Sequence, residues 1–545
     1  MRARESVTSE KLRGGFYSPD VLVEMCLDRA QALLGSRRGL RVLEPASGDG
    51  AFIRGLDRHP LGAQVGWVEA VEVQPEEAEA CRRSMSETMF DGRVVTANVL
   101  EWNERDSERF DLAVSNPPYV RYQFVSPQDR QRALSLVAEL GIIGSAVSNL
   151  WIPVFLLTVD RLRCGGVFSA ILPSEFLTGV SAGRVRSWLL DATRDLHIDL
   201  FKPGSFPAVL QEVLVLTGRK AASREARSNS VRFTDHNGGS HSWEHLIEPA
   251  AKTWTGYLLA PSQVEAFVLA SALPEVQPMR NVARFTVSTV TGANSYFCVD
   301  GDTVGKFGLA PWVIPLLPKA RHAAGIEFTA DDHGAASSAG APAWLLTFAA
   351  DRPSPLASSA PRMYIENGEA ARLHERFKCR IREPWFRVPV VAPGQLMMSK
   401  RSNLFPRVIL NRAGVVTTDT IYRGQMVRGA TIGATDVAGA FHNSLTLLSA
   451  EIEGRSFGGG VLELVPSEIA SLAIPVVQGA GRALGALDRV ARGSPHDAAL
   501  IDATDQALLR SLPELRSFMP VLREARYELA GRRLMRTRAG FFEAC

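Results

Sequence analysis

Short apolar runs alternate with amphipathic stretches over residues 41–218. This alternation is typical of an open, doubly wound α/β domain, in which helices cover both faces of a mainly parallel sheet. It predicts seven strands, over residues 41–44, 68–73, 94–97, 112–115, 167–172, 198–201 and 213–217. Apolar residues at helical spacing between Trp151 and Leu162 follow Asn149, a residue type that caps helix N-termini, and predict a helix there.

The pattern changes after this region. Residues 219–239 are polar and rich in Ser, Arg, Asn and Gly, which is typical of a linker or a long surface loop. Beyond them the periodicity is mixed, with Gly- and Pro-rich turns and short alternating segments such as residues 285–290. The low-complexity stretch at residues 334–340 predicts an exposed loop.

The last part of the chain has a helical pattern. It runs from Arg482 to Arg538 and is interrupted at Pro495, Pro513 and Pro520, which predicts several short helices. We therefore expect three parts, namely an α/β domain, a mixed α/β domain and a helical C-terminal segment, over residues 1–245, 246–480 and 481–545.

Composition excludes several classes of protein. The chain has 545 residues, of which 46% are apolar and 22% charged, as in folded proteins rather than disordered or fibrous ones. No apolar run approaches the roughly 18 residues of a membrane span, and the N-terminus carries no apolar signal core. Six cysteines lie far apart without a Cys-x-x-Cys pair, so neither a disulfide framework nor a cysteine zinc site is indicated. We expect a cytoplasmic protein without a membrane partner.

Positive charge is concentrated in one segment. Residues 361–428 contain thirteen Lys and Arg against five Asp and Glu, an excess of eight, whereas the whole chain has a net charge of +3. Such a basic face suits a phosphate backbone. Arg401 and Arg407, which lie in this segment, are candidate DNA contacts.

A glycine turn follows the first predicted strand. Over residues 42–52 a buried strand runs into a small-residue turn and then a helix, and Gly48 and Gly50 allow a ligand to approach the backbone closely. Glu72 ends the next strand, where an acid can accept hydrogen bonds from both hydroxyls of a ribose. Together these features predict a nucleotide-like cofactor.

The most specific motif is Asn116-Pro117-Pro118-Tyr119 at the end of the fourth predicted strand. The prolines fix φ and remove two donors, which leaves the Asn116 side-chain oxygen and the Pro117 carbonyl as acceptors. Tyr119 adds a flat face on which a base can stack. The tetrad can therefore hold a planar amine and polarise its nitrogen.

The order and identity of these motifs resemble the gamma class (TaqI-like) of DNA adenine-N6 methyltransferases, which use S-adenosylmethionine. The resemblance covers residues 11–218 well. Residues 290–297, 405–411 and 454–463 more loosely resemble the target-recognition region of related restriction-modification enzymes. The resemblance as a whole implies a Rossmann-like class I methyltransferase domain followed by a mixed α/β target-recognition domain with a helical tail.

The resemblance also implies a role for each matching residue. The positions implied to bind the cofactor are Phe16, Tyr17, Ser18, Pro19, Glu44, Pro45, Ala46, Gly48, Gly50, Glu72, Asn98, Val99 and Asn116. At Asn98 the family usually has Asp, but an Asn oxygen can still accept from the cofactor adenine. Asn116 to Tyr119 match the catalytic tetrad, and Phe206 matches a second aromatic that stacks on the target base.

The implied reaction is methyl transfer to the N6 amine of an adenine flipped out of double-stranded DNA. A restriction endonuclease that acts on the same site is the further partner such a system allows. Cytosine N4 and RNA remain alternative substrates, whereas cytosine C5 chemistry would need a Pro-Cys motif that the chain lacks.

Two alternatives belong to other classes. One is a catalytically inactive DNA-binding protein. The other is a zinc hydrolase that uses His241, Glu244 and His245, which fit a His-x-x-Glu-His pattern. Because this pattern follows a Gly- and Ser-rich loop and not an apolar helix, we expect surface histidines and no metal site.

Overall fold

The computed structural model of the chain describes residues 18–142, 147–202, 205–206, 212–222, 229–237, 239–457, 460–493 and 498–534. The chain divides into two compact units, Met1–Pro261 and Ser262–Cys545. The division therefore lies after Pro261 and not near residue 245. The reason is that residues 241–246 form a strand of the first unit's sheet, and that Ile247 and Trp254 are buried in its core.

One sheet runs through the first unit. Its strands are β1 (Leu40–Glu44), β2 (Val65–Glu72), β3 (Asp91–Thr96), β4 (Phe110–Ser115), β5 (Leu162–Pro173), β6 (Thr193–Leu200), β7 (Val213–Lys220), β8 (Ser230–Asp235) and β9 (His241–Leu246). Their order is β3-β2-β1-β4-β5-β7-β6-β8-β9. β1 to β5 pair in parallel, and β7 runs antiparallel between β5 and β6. This arrangement confirms the expected Rossmann-like class I methyltransferase fold, and all seven predicted strands are present.

Helices cover the sheet because its central strands are apolar on both faces. The α-helices of the first unit are α1 (Asp20–Leu34), α2 (Ala51–Arg58), α3 (Pro75–Ser86), α4 (Val99–Arg105), α5 (Pro127–Glu139), α6 (Trp151–Asp160), α7 (Glu175–Thr178) and α8 (Val180–Ala192). α6, the predicted helix after Asn149, is buried from Trp151 to Val159. The Asn149 side chain accepts a long, 3.4 Å hydrogen bond from Trp151 N.

The strand β8 corrects the prediction of a linker over residues 219–239. β8 pairs in parallel with β6, and β9 pairs with β8. Val231 and Phe233 are buried, whereas Arg232 between them is exposed. This alternation extends over only a few positions, which is why the polar composition around it concealed the strand.

The second unit contains several small sheets. Its strands are β10 (Val276–Pro278), β11 (Ala283–Thr286), β12 (Cys298–Val299), β13 (Val313–Leu317), β14 (Glu327–Phe328), β15 (Trp344–Leu346), β16 (Leu396–Ser399), β17 (Arg401–Ser402), β18 (Val408–Asn411), β19 (Val416–Thr417), β20 (Ile421–Met426), β21 (Arg455–Phe457), β22 (Val461–Glu463) and β23 (Ala473–Pro475). They form sheets in the orders β11-β20-β16-β18-β14, β12-β15-β13-β19, β17-β22-β21 and β10-β23. The expected mixed α/β character is confirmed.

The α-helices of this part are α9 (Pro261–Ser271), α10 (Asn294–Phe297), α11 (Gly301–Lys306), α12 (Ala330–Ser338), α13 (Ser359–Ala370), α14 (Phe377–Arg380), α15 (Ala434–Ala440), α16 (Ser444–Glu453), α17 (Pro466–Ile469), α18 (Leu484–Gly493), α19 (Ala498–Leu509) and α20 (Met519–Leu534). None of the helices in the described part of the chain is long and apolar enough to cross a membrane.

Two predictions for this unit were wrong in detail. Residues 334–340, expected to be a loop, lie largely in α12, which is initiated by a capping box between Thr329 and Asp332. Pro520 does not interrupt a helix, because it occupies the first turn of α20, where a missing N–H costs little.

The helical C-terminal segment is part of the second unit. The buried Arg533 of α20 pairs with Glu451 of α16 over 2.6 Å and donates to the carbonyl of Leu404 over 2.9 Å. A buried guanidinium with these partners links the last helix to α16 and to the loop before β18, so the expected separate segment over residues 481–545 is not a separate compact unit.

A buried histidine makes the second unit sensitive to acid. His442 is fully buried and its Nε2 accepts a hydrogen bond from Val408 N, and burial lowers the pKa of His442 from 6.5 to about 3. The unfolded chain binds this proton below pH 6.5 and the folded chain does not, so stability is retained above pH 6.5 and lost below it. We expect His442 alone to lower the free energy of unfolding by about 2 kcal/mol between pH 7.5 and pH 5.

Urea titrations at the two pH values measure this difference. His442→Gln should show a smaller loss on acidification than the wild type, whereas His374→Gln, a change at a partly exposed histidine of the same unit, should not. Equal pH dependence in the wild type and in His442→Gln would contradict the assignment.

Candidate active site

The loops after β1, β2 and β4 meet at one edge of the sheet, because these strands are parallel. The strand order reverses at β1, which has β2 on one side and β4 on the other. In open α/β sheets ligands bind in the crevice at such a reversal. The structure brings the predicted glycine turn, Glu72 and Asn116 to this edge.

Main-chain hydrogen bonds hold the glycine turn. Gly50 N donates to Ser47 O over 3.0 Å, and both Gly48 (φ 52°) and Gly50 (φ 89°) have left-handed backbone. A Cβ on Gly50 would lie 3.3 Å from Cα of Cys81 in α3, whereas a Cβ on Gly48 would have nothing within 4 Å. Gly50 therefore packs the turn against α3, and Gly48 faces open space, where a ligand can approach the backbone.

Arg54 supports this turn and was not predicted. Its guanidinium binds the Asp49 carboxylate over 2.7 Å and the Ser84 hydroxyl over 2.9 Å, which links the turn to α3. An Asp followed five residues later by an Arg is too common a pattern to have indicated this role.

Glu72 joins the loops that follow β1 and β2. One of its carboxylate oxygens accepts from Gly48 N over 2.9 Å, and the other accepts from Gln74 N over 2.8 Å. Each oxygen has a further lone pair, so the carboxylate can still accept from two hydroxyls. The predicted ribose acid thus also fixes the glycine turn.

A second carboxyl group lies buried at the end of β1. Glu44 is only 2% exposed, and its Oε2 has no hydrogen-bond partner among the described residues. Burial, together with the charges of Asp49 and Glu72, raises the pKa of Glu44 well above its usual value. A cationic ligand would favour the ionised carboxylate and could partner the orphaned oxygen. S-adenosylmethionine, which is positively charged at its sulfur and ammonium groups, fits this acidic crevice.

The remaining predicted cofactor residues are placed as follows. Pro45 is buried and Ala46 half-buried in the turn, and Val99 is the first residue of α4. Asn98 caps α4, since its Oδ1 accepts from the backbone N–H of Leu100 over 2.9 Å. The bond expected from the cofactor adenine would have to use the second lone pair of this oxygen.

Asn116 is oriented by Ser18. Its Nδ2 donates to Ser18 Oγ over 3.0 Å, which places the amide oxygen on the opposite side. Ser18 was predicted to line the cofactor, and the structure adds this contact with the tetrad. Pro19 precedes α1, and its carbonyl accepts from Leu22 N over 2.9 Å. The predicted residues Phe16 and Tyr17 lie outside the described residues.

The rest of the tetrad lies deeper. Pro117 is buried, Pro118 is half-buried, and Tyr119 is 6% exposed. The Tyr119 hydroxyl donates to the Ile171 carbonyl of β5 over 3.0 Å, and burial raises the pKa of Tyr119, which keeps the hydroxyl protonated. The side chain is therefore held at its hydroxyl, and the stacking of a base on its ring stays a prediction.

Phe206 is supported by a chain of contacts that was not predicted. It packs edge-on against Phe201 (centroids 5.1 Å apart, 80°), and Phe201 stacks on His236 (5.5 Å, 17°). His236 Nε2 lies 2.8 Å from Oδ1 of the buried Asp199, which also accepts two hydrogen bonds from Arg29. These residues are far apart in the sequence, so no local pattern could have joined them.

The structure separates the two predicted DNA contacts. Arg401 is exposed and forms an ion pair with Glu463. Arg407 is 5% exposed, and its guanidinium donates to the carbonyls of Gly325, Ala320 and Ala323. The prediction that Arg407 contacts DNA was wrong, because this side chain is used inside the second unit.

The zinc alternative is not supported by the fold. His241, Glu244 and His245 lie in β9, where the side chains of residues 244 and 245 point to opposite faces, and not on one face of a helix. Glu244 pairs with Arg232, and His245 is buried with its Nε2 2.8 Å from the Leu259 carbonyl, so His245 is not the expected surface residue. Within the described ranges no group of three His, Cys, Asp or Glu side chains could hold a metal ion.

Two family models match most of the chain. Residues 71–205 match the family model of the Eco57I restriction-modification methylase, and residues 251–509 match that of the C-terminal domain of the Type II methyltransferase M.Eco57I. The Type II methyltransferase M.AccI of Acinetobacter calcoaceticus is 20% identical over 463 residues, which are 81% of this chain and 82% of that protein.

Two further similarities extend over most of the chain. The Type II methyltransferase M.XamI of Xanthomonas campestris pv. amaranthicola is 24% identical over 487 residues, 85% of each protein. The crystal structure of the type IIG restriction endonuclease BpuSI aligns with a TM-score of 0.43 at 13% identity, covering 96% of this chain and 66% of that one.

The two glycines of the turn should respond differently to substitution. Gly50→Ala combines left-handed strain of about 1–2 kcal/mol with a contact of 3.3 Å to Cys81 Cα, whereas Gly48→Ala adds strain alone. We expect Gly50→Ala to lower the melting temperature of the first unit more than Gly48→Ala does. Calorimetric scans of both variants test this order, and the reverse order would contradict the packing described.

Proposed function

Since the chain belongs to the restriction-modification methyltransferases, we propose that it transfers a methyl group from S-adenosylmethionine to the N6 amine of adenine in double-stranded DNA. The observation that carries this proposal is the position of Asn116 at the carboxyl end of β4, beside the glycine turn after β1. An acceptor for an exocyclic amine thus lies at the edge where the cofactor is expected.

The cofactor is S-adenosylmethionine, which when bound supplies an electrophilic methyl group on a positively charged sulfur. Gly48 offers open backbone for its close approach, and Glu72 offers two acceptors for ribose hydroxyls. Glu44 adds a buried carboxyl oxygen that lacks a partner among the described residues. Acidic groups on this side of the crevice favour a cation over an anionic nucleotide.

The tetrad residues act on the target amine. The Asn116 amide oxygen and the Pro117 carbonyl accept its two hydrogens, which directs the nitrogen lone pair away from both acceptors. Ser18 fixes the side to which the Asn116 oxygen points. Tyr119 and Phe206 stack on the base, which must leave the duplex to reach these groups.

We assign sequence selection to the second unit. The support is the match of residues 251–509 to the C-terminal domain of a Type II methyltransferase, together with the basic segment at residues 361–428. Type II relatives also suggest that a restriction endonuclease with the same recognition site accompanies this enzyme.

Sequencing with modified-base detection, on DNA from cells that express the chain, tests the proposal. N6-methyladenine in one sequence context is the expected result. Detection of N4-methylcytosine instead would mean that the target is the exocyclic amine of cytosine, which the tetrad can hold in the same way. Methylation of RNA alone would contradict the proposed substrate.

Asn116→Ala should abolish most turnover. Loss of one polar contact in the transition state is worth about 3 kcal/mol, which corresponds to roughly a hundredfold lower kcat. Radiolabelled methyl transfer to plasmid DNA measures the effect.

Two variants accompany this test. Ser18→Ala, which removes the acceptor of the Asn116 amide nitrogen, should reduce kcat less than Asn116→Ala, and Ser18→Thr should restore it. Asn281→Ala, at an exposed position of the other unit, should leave kcat unchanged. Wild-type turnover by Asn116→Ala would overturn the assignment of the tetrad.

Glu72→Ala should weaken S-adenosylmethionine binding. Hydrogen bonds to a charged group are worth about 1.5–3 kcal/mol, so the Kd should rise roughly tenfold to a hundredfold. Calorimetric titration gives the Kd, and Glu76→Ala, which removes a carboxylate from the exposed start of α3, serves as the matched control. An unchanged Kd in Glu72→Ala would show that the cofactor does not bind at Glu72.

A further inference from the structure

A short basic segment of the second unit exposes an aromatic ring. Residues 376–382, which we call the basic tip, contain four cationic side chains and no acidic one. Phe377 and Ile381, both in the tip, are each 62% exposed. A surface that only keeps charged side chains in water does not need two large and mostly exposed apolar side chains four positions apart.

The cations of the tip lie around the exposed ring. Lys378 Nζ is 5.5 Å and Arg380 Cζ is 5.8 Å from the centroid of Phe377. Within the described part of the chain, Arg376, Lys378 and Arg380 have no carboxylate partner within 4.0 Å. Elsewhere in the basic region Arg372, Arg401 and Arg412 pair with Glu375, Glu463 and Glu327. The exposed Arg362, Arg387 and Arg428 have no such carboxylate partner among the described residues. The tip therefore places three exposed cations without a carboxylate partner within five positions of the chain.

The tip is held in place by contacts with other parts of the second unit. Cys379 is fully buried in the core that also contains Leu373. Arg382 donates to the carbonyls of Val290 and Thr291, the latter over 2.8 Å. A Cβ on Gly292 would lie 2.8 Å from Lys378 Cβ, so this glycine lets the tip lie directly on the segment beneath it. Phe377 and Ile381 are thus presented on a fixed support.

We propose that the basic tip is a DNA-inserting wedge, in which Phe377 enters between base pairs while Lys378 and Arg380 bind the flanking phosphates. This inference rests on the proposed function, because it takes duplex DNA as the substrate. An apolar side chain that partly unstacks a base step, flanked by cations, is a recurrent way to deform a duplex. An anionic membrane would also attract a basic and aromatic surface. DNA is favoured because the tip lies within the region that matches a methyltransferase C-terminal domain.

Two measurements on the full chain without cofactor test the wedge. The first is binding to a fluorescent duplex over a salt series. Lys378→Ala/Arg380→Ala should bind more weakly and lower the steepness of log K against log salt by about 2, one for each lost phosphate contact. Phe377→Ala should bind about tenfold more weakly with an unchanged slope, because it removes stacking and no charge.

The second measurement is the change in linking number when ligase closes a nicked plasmid in the presence of the protein. An inserted ring unwinds DNA, so the wild type should shift the topoisomers. Phe377→Ala should lose more than half of the shift per bound protein, and Phe377→Trp should retain it. Val268→Ala, at an apolar residue of α9 that is exposed to a similar degree, should behave as the wild type.

The outcomes separate this inference from the proposed function. If the wild type methylates DNA but Phe377→Ala matches it in affinity and unwinding, the wedge is wrong and the proposed function stands. The wedge is equally wrong if the tip variants lose binding only to vesicles of anionic lipid. If the wild type binds and methylates no duplex DNA, both are wrong.

Discussion

The parallel pairing of β1 with β2 on one side and β4 on the other is the constraint on which the site depends. Parallel strands end at the same edge, so their following loops must meet there. A hydrogen bond also joins them, since Glu72, the last residue of β2, accepts from the backbone N–H of Gly48 in the turn after β1. Displacing either strand would therefore disturb the turn, the acid and the tetrad together.

Behind this edge the first unit uses buried charge for orientation. Asp199 is fully buried, and burying a carboxylate is costly unless it is paired and hydrogen-bonded. Arg29 and His236 provide the partners, and His236 supports the rings of Phe201 and Phe206. The polar cluster thus supports an aromatic residue that lies away from it in the sequence.

The arginines of the second unit fall into two groups, according to whether their side chains are buried or exposed. Arg407 and Arg533 are buried and satisfy backbone carbonyls, so their charges hold the unit together. In the basic tip, Arg382 also donates to backbone carbonyls, whereas Arg376, Lys378 and Arg380 are exposed and have no carboxylate partner among the described residues. A count of charges along the segment therefore overstates the charge available to a ligand and does not locate it.

The sequence by itself determined seven of the nine strands of the first unit's sheet and the local motifs of the site, because apolar periodicity and a turn such as Gly48 to Gly50 are properties of neighbouring residues. It also indicated Glu72 and Asn116, since each ends a strand whose carboxyl edge could be inferred. It missed β8 and β9, whose alternation is short, and it assigned Arg407 to DNA.

Only the tertiary structure decided that Ser18 orients Asn116, that Asp199 and His236 support Phe206, and which arginines are exposed. Each of these features depends on contacts between residues that are distant in the chain. Whether a charged side chain is buried and paired or faces solvent is likewise set by the whole fold and not by any single position of the sequence.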